Sequence, residues 1–407
     1  MAIAIQTTTV NKQNVYERYY PYIGTNKDVY VGYDNGEYVF NAYAYFKNTT
    51  YGWEYGEYFT PEQYYFTPVA TPYGLQLTTD TFNIEGWCIG IKPPHPIPPI
   101  PTIVEVAWYF GNGGWVADAL GISLFGDDSV YISGGAVGPT NGGGLMIPDM
   151  STFVHYEFWG GGYGSYIKSA YSYQLLASTS FITTVGLIYS SFIVTNTSAT
   201  TGYAYMSWYL YAQTLTWLPI SYLNTYTINY TAYATATLSY NPFYLPNLVI
   251  SAVRGGTGNP ADIRVQWVIA RAYPPNGVMP SISTISYLTT NNLEQIYSIV
   301  ITNTQTIATP TPFQQMIAIA NTSPTVSLPS NIAYYVNSQL YNMIDPKGRN
   351  VYFFTDPSNP NGSLLYAWYQ GISNIGGANM KVYWVKLPNG IQASSSITIY
   401  MSITPTF

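Results

Sequence analysis

Residues Asn229-Tyr-Thr-Ala-Tyr-Ala-Thr-Ala-Thr-Leu-Ser-Tyr240 repeat with a period of two, and so do Ser395-Ser-Ile-Thr-Ile-Tyr-Met-Ser-Ile403. Successive side chains of an extended chain point to opposite faces, so this period marks strands with one face buried. Helical periodicity is almost absent elsewhere. Glu, Lys and Arg, which favour helices, are scarce, while 35 Gly and 28 Pro punctuate the alternating runs. Such a chain is confined to all-β architectures. The stretch Ser330–Leu340, with apolar residues recurring at three and four, fits a single helix capped by Ser330; the same residues also alternate as a strand.

Composition narrows the function classes. Only 8% of the 407 residues are charged, against roughly 25% in a soluble globular domain. Disorder requires low hydrophobicity with high charge, and 47% hydrophobic residues exclude it. Thirteen Lys and Arg against nineteen Asp and Glu give a net charge of −6, so no basic field exists to hold a nucleic-acid backbone. The lone Cys88, beside Trp87, cannot form an internal disulfide and reads as a small buried hydrophobe. His95 and His155 are too few for a multi-histidine catalytic metal centre. No positive residue precedes Lys12, and no secretory signal is expected. The apolar stretches Thr183–Val194 and Tyr233–Ile250 are interrupted well short of the ~18–20 residues of a membrane helix, so no transmembrane segment is expected. Sequons at Asn48, Asn196, Asn229, Asn321 and Asn361 are candidate glycosylation sites.

Two proline-rich stretches punctuate the chain. Pro93-Pro-His-Pro-Ile-Pro-Pro-Ile-Pro101 reads as a polyproline II surface loop. Pro274-Pro-Asn-Gly-Val-Met-Pro280, after the strand Val265–Ile269, reads as a domain edge. The expected organisation is a Tyr-rich strand or assembly segment over 1–60, a jelly-roll domain over 61–275, a linker with connecting strands over 276–308 and a C-terminal β-sandwich over 309–407.

The stretches Trp115-Val-Ala-Asp-Ala-Leu-Gly-Ile-Ser-Leu-Phe-Gly126, Gly142-Gly-Gly-Leu145, Phe153-Val-His-Tyr-Glu-Phe-Trp159 and Arg264-Val-Gln-Trp-Val-Ile-Ala-Arg-Ala-Tyr-Pro-Pro275 follow one another in the order found in concanavalin A-like lectin/glucanase domains. Residues 61 to about 273 thus resemble the divergent form of that family found in archaeal surface and viral proteins. The segments Thr311-Pro-Phe-Gln-Gln, Val351-Tyr-Phe-Phe-Thr-Asp356, Leu365-Tyr-Ala-Trp-Tyr and Val382-Tyr-Trp-Val-Lys-Leu-Pro388 resemble a β-module of unknown function recurrent in archaeal and archaeal-virus surface proteins. The resemblance implies an all-β, antiparallel jelly-roll β-sandwich followed by a second, smaller β-sandwich, with Trp368 and Trp384 in the core of the latter.

The family resemblance also directs attention to candidate sites. Lectins of this class bind Ca²⁺ and Mn²⁺ through oxygen ligands. Where the family has an Asp two residues after the Glu of its acidic strand, this chain has Trp159, which favours a structural role for Glu157 and His155. Asp118, Asp127, Asp128 and Asp149 remain as oxygen donors, although Asp in Gly-rich turns commonly bonds its local backbone. No cofactor is expected, with calcium the one ion under consideration. A glucanase needs two carboxylates about 5–5.5 Å apart for retention. Glu54, Glu57 and Glu62 lie in a Tyr-rich segment, while Glu85, Glu105 and Glu157 stand alone, and the chain is expected not to be an enzyme. No Gly-x-Ser-x-Gly elbow accompanies either His. Sugar rings stack on aromatic faces, and Trp53, Trp159, Tyr163 and Tyr166, with Asp118 as a polar partner, are the candidate glycan-binding residues.

Together these readings lead to a non-enzymatic virion surface protein, such as a tail, fibre, turret or capsid decoration, of a virus of a hyperthermophilic acidophilic archaeon. Its expected partners are copies of itself in a homo-oligomer or lattice, other virion proteins and host cell-surface glycans. A host extracellular filament or surface adhesin is the alternative, and a glycoside hydrolase a third reading.

Overall fold

The computed structural model describes residues 31–32, 36–58, 67–77, 87–95, 97–98, 101–111, 118–125, 153–159, 164–169, 174–179, 186–196, 202–220, 232–238, 247–254, 262–291 and 294–404. The chain divides into two compact units. One comprises 41–218 and 229–273; the other joins 1–40 and 219–228 to 274–407.

The first unit is an antiparallel jelly-roll sandwich of two sheets. One sheet has seven strands in the order Gln174–Thr179, Gly164–Ser169, Phe153–Trp159, Asp118–Phe125, Asn247–Arg254, Trp87–Lys92, Glu54–Tyr58. The other runs Ala232–Leu238, Gly202–Ala212, Gly186–Asn196, Thr102–Phe110, Ile263–Ala272, Gly74–Gln76, Val69–Thr71, with Ala42–Tyr45 also paired to Ile263–Ala272. Alternate residues of each strand meet between the sheets. Val104, Val106, Trp108 and Phe110, with Ile188 and Phe192, share one core with Leu120, Ile122, Leu124 and Ile250. Burying side chains of this size stabilises by about 1.5–3 kcal/mol each. The period-two run beginning at Asn229 supplies the edge strand Ala232–Leu238.

Strict alternation fails at one place. The pairing of Ile263–Ala272 with Thr102–Phe110 shifts register between Val265 and Trp267, leaving Gln266 as an extra residue. Such a bulge reverses which residues face inward. Ile263 and Val265 enter the core before it, Val268 and Ala270 after it. Gly74 comes so close to the bulge that a Cβ there would lie 2.6 Å from the Val265 carbonyl oxygen. The described residues of 93–101 contain no strand and connect Trp87–Lys92 to Thr102–Phe110.

The second unit is a smaller sandwich of two five-stranded sheets. One has the order Ser281–Asn291, Glu294–Asn303, Ser395–Ile403, Val351–Phe354, Leu364–Leu365. The other has Val31–Gly32, Ala367–Ile375, Ala378–Leu387, Phe313–Ala320, Tyr334–Val336. Its two outermost pairings, of Val31–Gly32 and of Tyr334–Val336, are parallel. The alternating stretch 395–403 forms the middle strand of the first of these sheets. Trp368 and Trp384 are directly opposed on neighbouring strands, and both are buried. The Trp384 Nε1 donates to Gln370 Oε1 at 2.8 Å.

The single helix expected over Ser330–Leu340 is not what forms. Tyr334–Val336 joins the sheet as a strand, and a helix of Ser338–Met343 follows it, capped by Asn337, whose side chain accepts from the Leu340 N–H. Parallel pairing with Ala318–Ala320 gives Tyr334–Val336 ladder bonds that a helix would forgo.

Candidate functional site

Of the residues singled out for glycan contact, Asp118, Trp159 and Tyr166 fall on the seven-stranded sheet. Phe153–Trp159 and Gly164–Ser169 pair as an antiparallel hairpin, with Trp159 opposite Gly164 and Tyr166 opposite Glu157. On its other side Trp159 pairs with Ala119, the residue after Asp118. Antiparallel pairing therefore brings the start of the Asp118–Phe125 strand and the end of the Phe153–Trp159 strand to the same end of the sheet. Asp118 itself is registered against Arg254. Tyr163 lies outside the described residues, as do Asp127, Asp128 and Asp149.

Trp53 is placed differently. Its side chain is 6% exposed, packs edge-on to Phe46 at 5.5 Å and donates from Nε1 to the Tyr43 carbonyl at 3.2 Å. A ring enclosed in this way has no open face for a sugar, and Trp53 serves the core. The sequence Tyr-Gly-Trp-Glu-Tyr suggested an exposed aromatic cluster, but Gly52, at φ +71°, turns the chain and the ring goes inward.

Among the sequons, Asn48 is exposed and left-handed at φ 59°. Asn321 is half-buried and accepts from Thr322 Oγ1 at 3.2 Å. Asn196 ends its strand, Asn361 opens a short 3-10 turn, and Asn229 lies outside the described residues.

No group of three or more His, Cys, Asp or Glu gathers among the described residues. Calcium takes about six to eight oxygen ligands, and the described carboxylates do not assemble such a set.

Electrostatic structure appears instead on the face of the eight-stranded sheet away from the sandwich core. Glu105 Oε2 receives the Arg271 Nε at 3.0 Å, and Glu105 Oε1 receives the Tyr189 hydroxyl at 2.6 Å. Thr102 Oγ1 donates to the Arg271 carbonyl at 3.0 Å. Both carboxylate oxygens are thus engaged by buried donors, which fixes Glu105 as a structural anion. Gln266, at the bulge, accepts the Leu218 N–H at 2.7 Å and donates to the Thr216 and Tyr73 carbonyls. Trp267 Nε1 donates to the Leu218 carbonyl at 3.0 Å, so the 213–218 segment hangs from two adjacent residues of one strand. Sequence reasoning noted Glu105 as isolated and Arg271 only as part of a terminal motif. Their scarcity within apolar strands was the available signal, but their pairing depends on register.

In the smaller sandwich, Lys381 Nζ donates to the Tyr341 carbonyl at 2.6 Å and to that of Ile344, closing the end of the Ser338–Met343 helix. Burial holds the Lys381 and Lys386 ammonium groups below the ordinary lysine range.

The first unit is thus an all-β sandwich of two face-to-face, largely antiparallel sheets. Solved structures to which part of the chain is similar include lectin domains. The exoplasmic/lumenal domain of VIP36 in its Ca²⁺/Man3GlcNAc-bound form aligns with 56% of this chain and 87% of its own, at 10% identity and a TM-score of 0.37. The metal-free lectin I-B4 of Griffonia simplicifolia aligns with 56% of this chain and 98% of its own, at 10% identity and a TM-score of 0.37. In sequence, 108 residues, or 26% of the chain, are 36% identical to uncharacterized protein 562 of Sulfolobus islandicus rod-shaped virus 1. The match spans 15% of that protein's length. No family model matches the chain.

Proposed function

We propose that this chain is a non-enzymatic structural protein on the outer surface of a virus of a hyperthermophilic, acidophilic archaeon, where it contacts host-cell glycans and assembles with its own copies and other virion proteins. The observation that carries the viral assignment is the 108-residue stretch shared at 36% identity with a protein of a Sulfolobus rod-shaped virus. The locking of Glu105 by Arg271 and Tyr189 supports the non-enzymatic part, since a carboxylate spent on an internal ion pair is not free to act as a catalytic acid or base. The register that sets Tyr166 opposite Glu157, two residues before Trp159 on the neighbouring strand, supports that end of the seven-stranded sheet as the glycan-facing one, with Asp118 one residue out of register from Trp159.

The test is mass spectrometry of purified particles beside envelope fractions of infected and uninfected cells. The protein should be found in particles. Presence only in the envelope of uninfected cells would overturn the viral reading in favour of a host filament or adhesin. Glycan contact is tested on an array of archaeal surface glycans, where Trp159→Ala and Tyr163→Ala should abolish binding. Calcium enters this reading only through Asp127, Asp128 and Asp149, and glycan binding that survives chelation removes it.

A further inference from the structure

A chain with only 13 Lys and Arg has few cations to spare, and most of those among the described residues are engaged internally. Arg264 pairs with Asp262 at 2.7 Å and Arg271 with Glu105 at 3.0 Å. Lys47 lies over the Trp217 ring, 5.5 Å from its centroid. Lys381 donates to main-chain carbonyls. Lys386 donates to the Tyr38 carbonyl at 3.1 Å, where residues 36–40 lie in a groove of the smaller sandwich. There Gln314 Nε2 donates to the Val39 carbonyl at 3.0 Å, and the buried Phe40 packs edge-on against Trp368 and Trp384. Lys347 and Arg349 are different. They flank Gly348 in the turn between the Ser338–Met343 helix and the Val351–Phe354 strand, Lys347 exposed and Arg349 half-buried. Among the described residues no ion pair reaches either side chain, and the buried Arg349 Nε has no acceptor.

The turn itself is held from several sides. The Tyr369 and Tyr383 hydroxyls donate to the Pro346 and Gly348 carbonyls at 3.2 and 3.1 Å. Gly348, at φ +69°, presses so closely on the Tyr369 ring that a Cβ there would lie 2.3 Å from its Cγ. Asn350 accepts the Asp345 N–H at 2.7 Å and donates to the Thr404 carbonyl at 2.9 Å. Asp345, the acid of the turn, is 3% exposed and its Oδ1 accepts the Lys347 N–H at 2.7 Å. The anion is thus spent inside the turn, while both cations reach the surface. A backbone already fixed loses little freedom when a ligand binds. A guanidinium fork matches two oxygens of a carboxylate or sulfate, and a neighbouring ammonium adds a second charge.

We propose that the turn 345–350 is an oxyanion-binding site, in which Arg349 and Lys347 hold a sulfate or carboxylate group. The group comes from a free ion or from an acidic polysaccharide. The net charge of −6 provides no general attraction for anions, so recognition rests on this local pair. The inference is independent of the viral reading and of the glycan contact assigned to the seven-stranded sheet.

The full chain is titrated with sodium sulfate, against sodium chloride of equal ionic strength, and with fluorescein-labelled dextran sulfate against neutral dextran. Sulfate should raise the unfolding temperature of the chain more than that of Arg349→Gln or Lys347→Gln; an increment common to all three is the general stabilisation that sulfate gives any fold. Dextran sulfate should bind the chain at least about tenfold more tightly than either variant. Arg349→Lys keeps the charge and loses the fork, and should fall with Arg349→Gln. Lys347→Gln alters an exposed side chain and leaves the buried Nε untouched, so it reads the site even where an Arg349 variant fails to fold. A response to sulfate alone assigns the site to a small anion, and binding of dextran sulfate assigns it to a polysaccharide. Equal responses of the chain and of Lys347→Gln, no response of the chain to either probe, or full affinity in Arg349→Lys overturns the proposal.

Discussion

Arg271 and Glu105 form an ion pair 3.0 Å long across neighbouring strands, with side chains 3% and 2% exposed. They are diagonal rather than directly opposed, since Arg271 is registered with Ile103 and Glu105 with Ile269. Glu105→Ala leaves a buried guanidinium without its anion, a loss of about 3–5 kcal/mol. The joint change Glu105→Leu with Arg271→Met removes both charges and should recover most of that loss. Denaturant midpoints of the three variants check this; an unchanged midpoint for Glu105→Ala would show that the pair contributes nothing.

Trp384→Ala should destabilise the smaller sandwich by about 3–5 kcal/mol. It empties a fully buried position and removes the donor that satisfies Gln370 Oε1. Thermal unfolding of the full chain, followed by a probe in this unit, reads the effect, and an unaltered transition is the contrary result.

Gln266→Leu should release the 213–218 segment while leaving the sheet intact. Gln266 is 0% exposed and engages the Leu218 N–H and the Thr216 carbonyl. Each group left without a partner costs about 1–3 kcal/mol. Limited proteolysis should cut the variant within 213–218 faster than the parent chain, and equal rates would show that Trp267 alone holds the segment.

Stability should fall above about pH 10. Burial raises the phenols of Tyr109, Tyr273, Tyr297 and Tyr341 above their ordinary 10.0. The stabilisation is therefore complete below 10.0 and lost as pH rises through the folded values, because the unfolded chain gives up these protons first. Lys381 and Lys386 act in the opposite sense: lowered from 10.5 by burial, they penalise the fold at neutral pH, and the penalty lifts as pH rises through their folded values. A shallow gain should precede the fall, and Lys381→Met should reduce that gain. Denaturant midpoints from about pH 7 to about pH 11 trace both limbs. A continuous fall from neutrality would contradict the lysine contribution.

The proposed self-assembly should hold equally at about pH 3 and about pH 7, since tyrosine stays neutral across that range. Sedimentation at both values checks it; a monomer at micromolar concentration, or dissociation on acidification, is the contrary result.

The strands were legible because a half-buried strand leaves its mark one residue at a time, as in 395–403. Their pairing was not, because register is set by distant segments. The bulge at Gln266 reverses the inward parity of its strand, so no regular alternation could have assigned Arg271 to the same face as Glu105. Trp53 misled for a related reason: its composition suits a sugar platform, while burial is decided by Phe46 and Tyr43. The helix read at Ser330 shifted because Asn337 offered the cap and Tyr334–Val336 found a strand partner.

The seat of residues 36–40 against Gln314, Trp368, Trp384 and Lys386 also bears on the order of events during synthesis. The segment leaves the ribosome before the residues that hold it, and Lys386 follows Tyr38 by 348 positions. At about 5–20 residues per second, the wait is on the order of tens of seconds. For that time Tyr38, Val39 and Phe40 have no groove to fill, while the residues of the jelly-roll sandwich, 41–273 apart from 219–228, are already complete. The smaller sandwich can therefore close only after synthesis has passed it. Until then its apolar segment has no partner, so translation itself sets a window in which Val39 and Phe40 are exposed to aggregation.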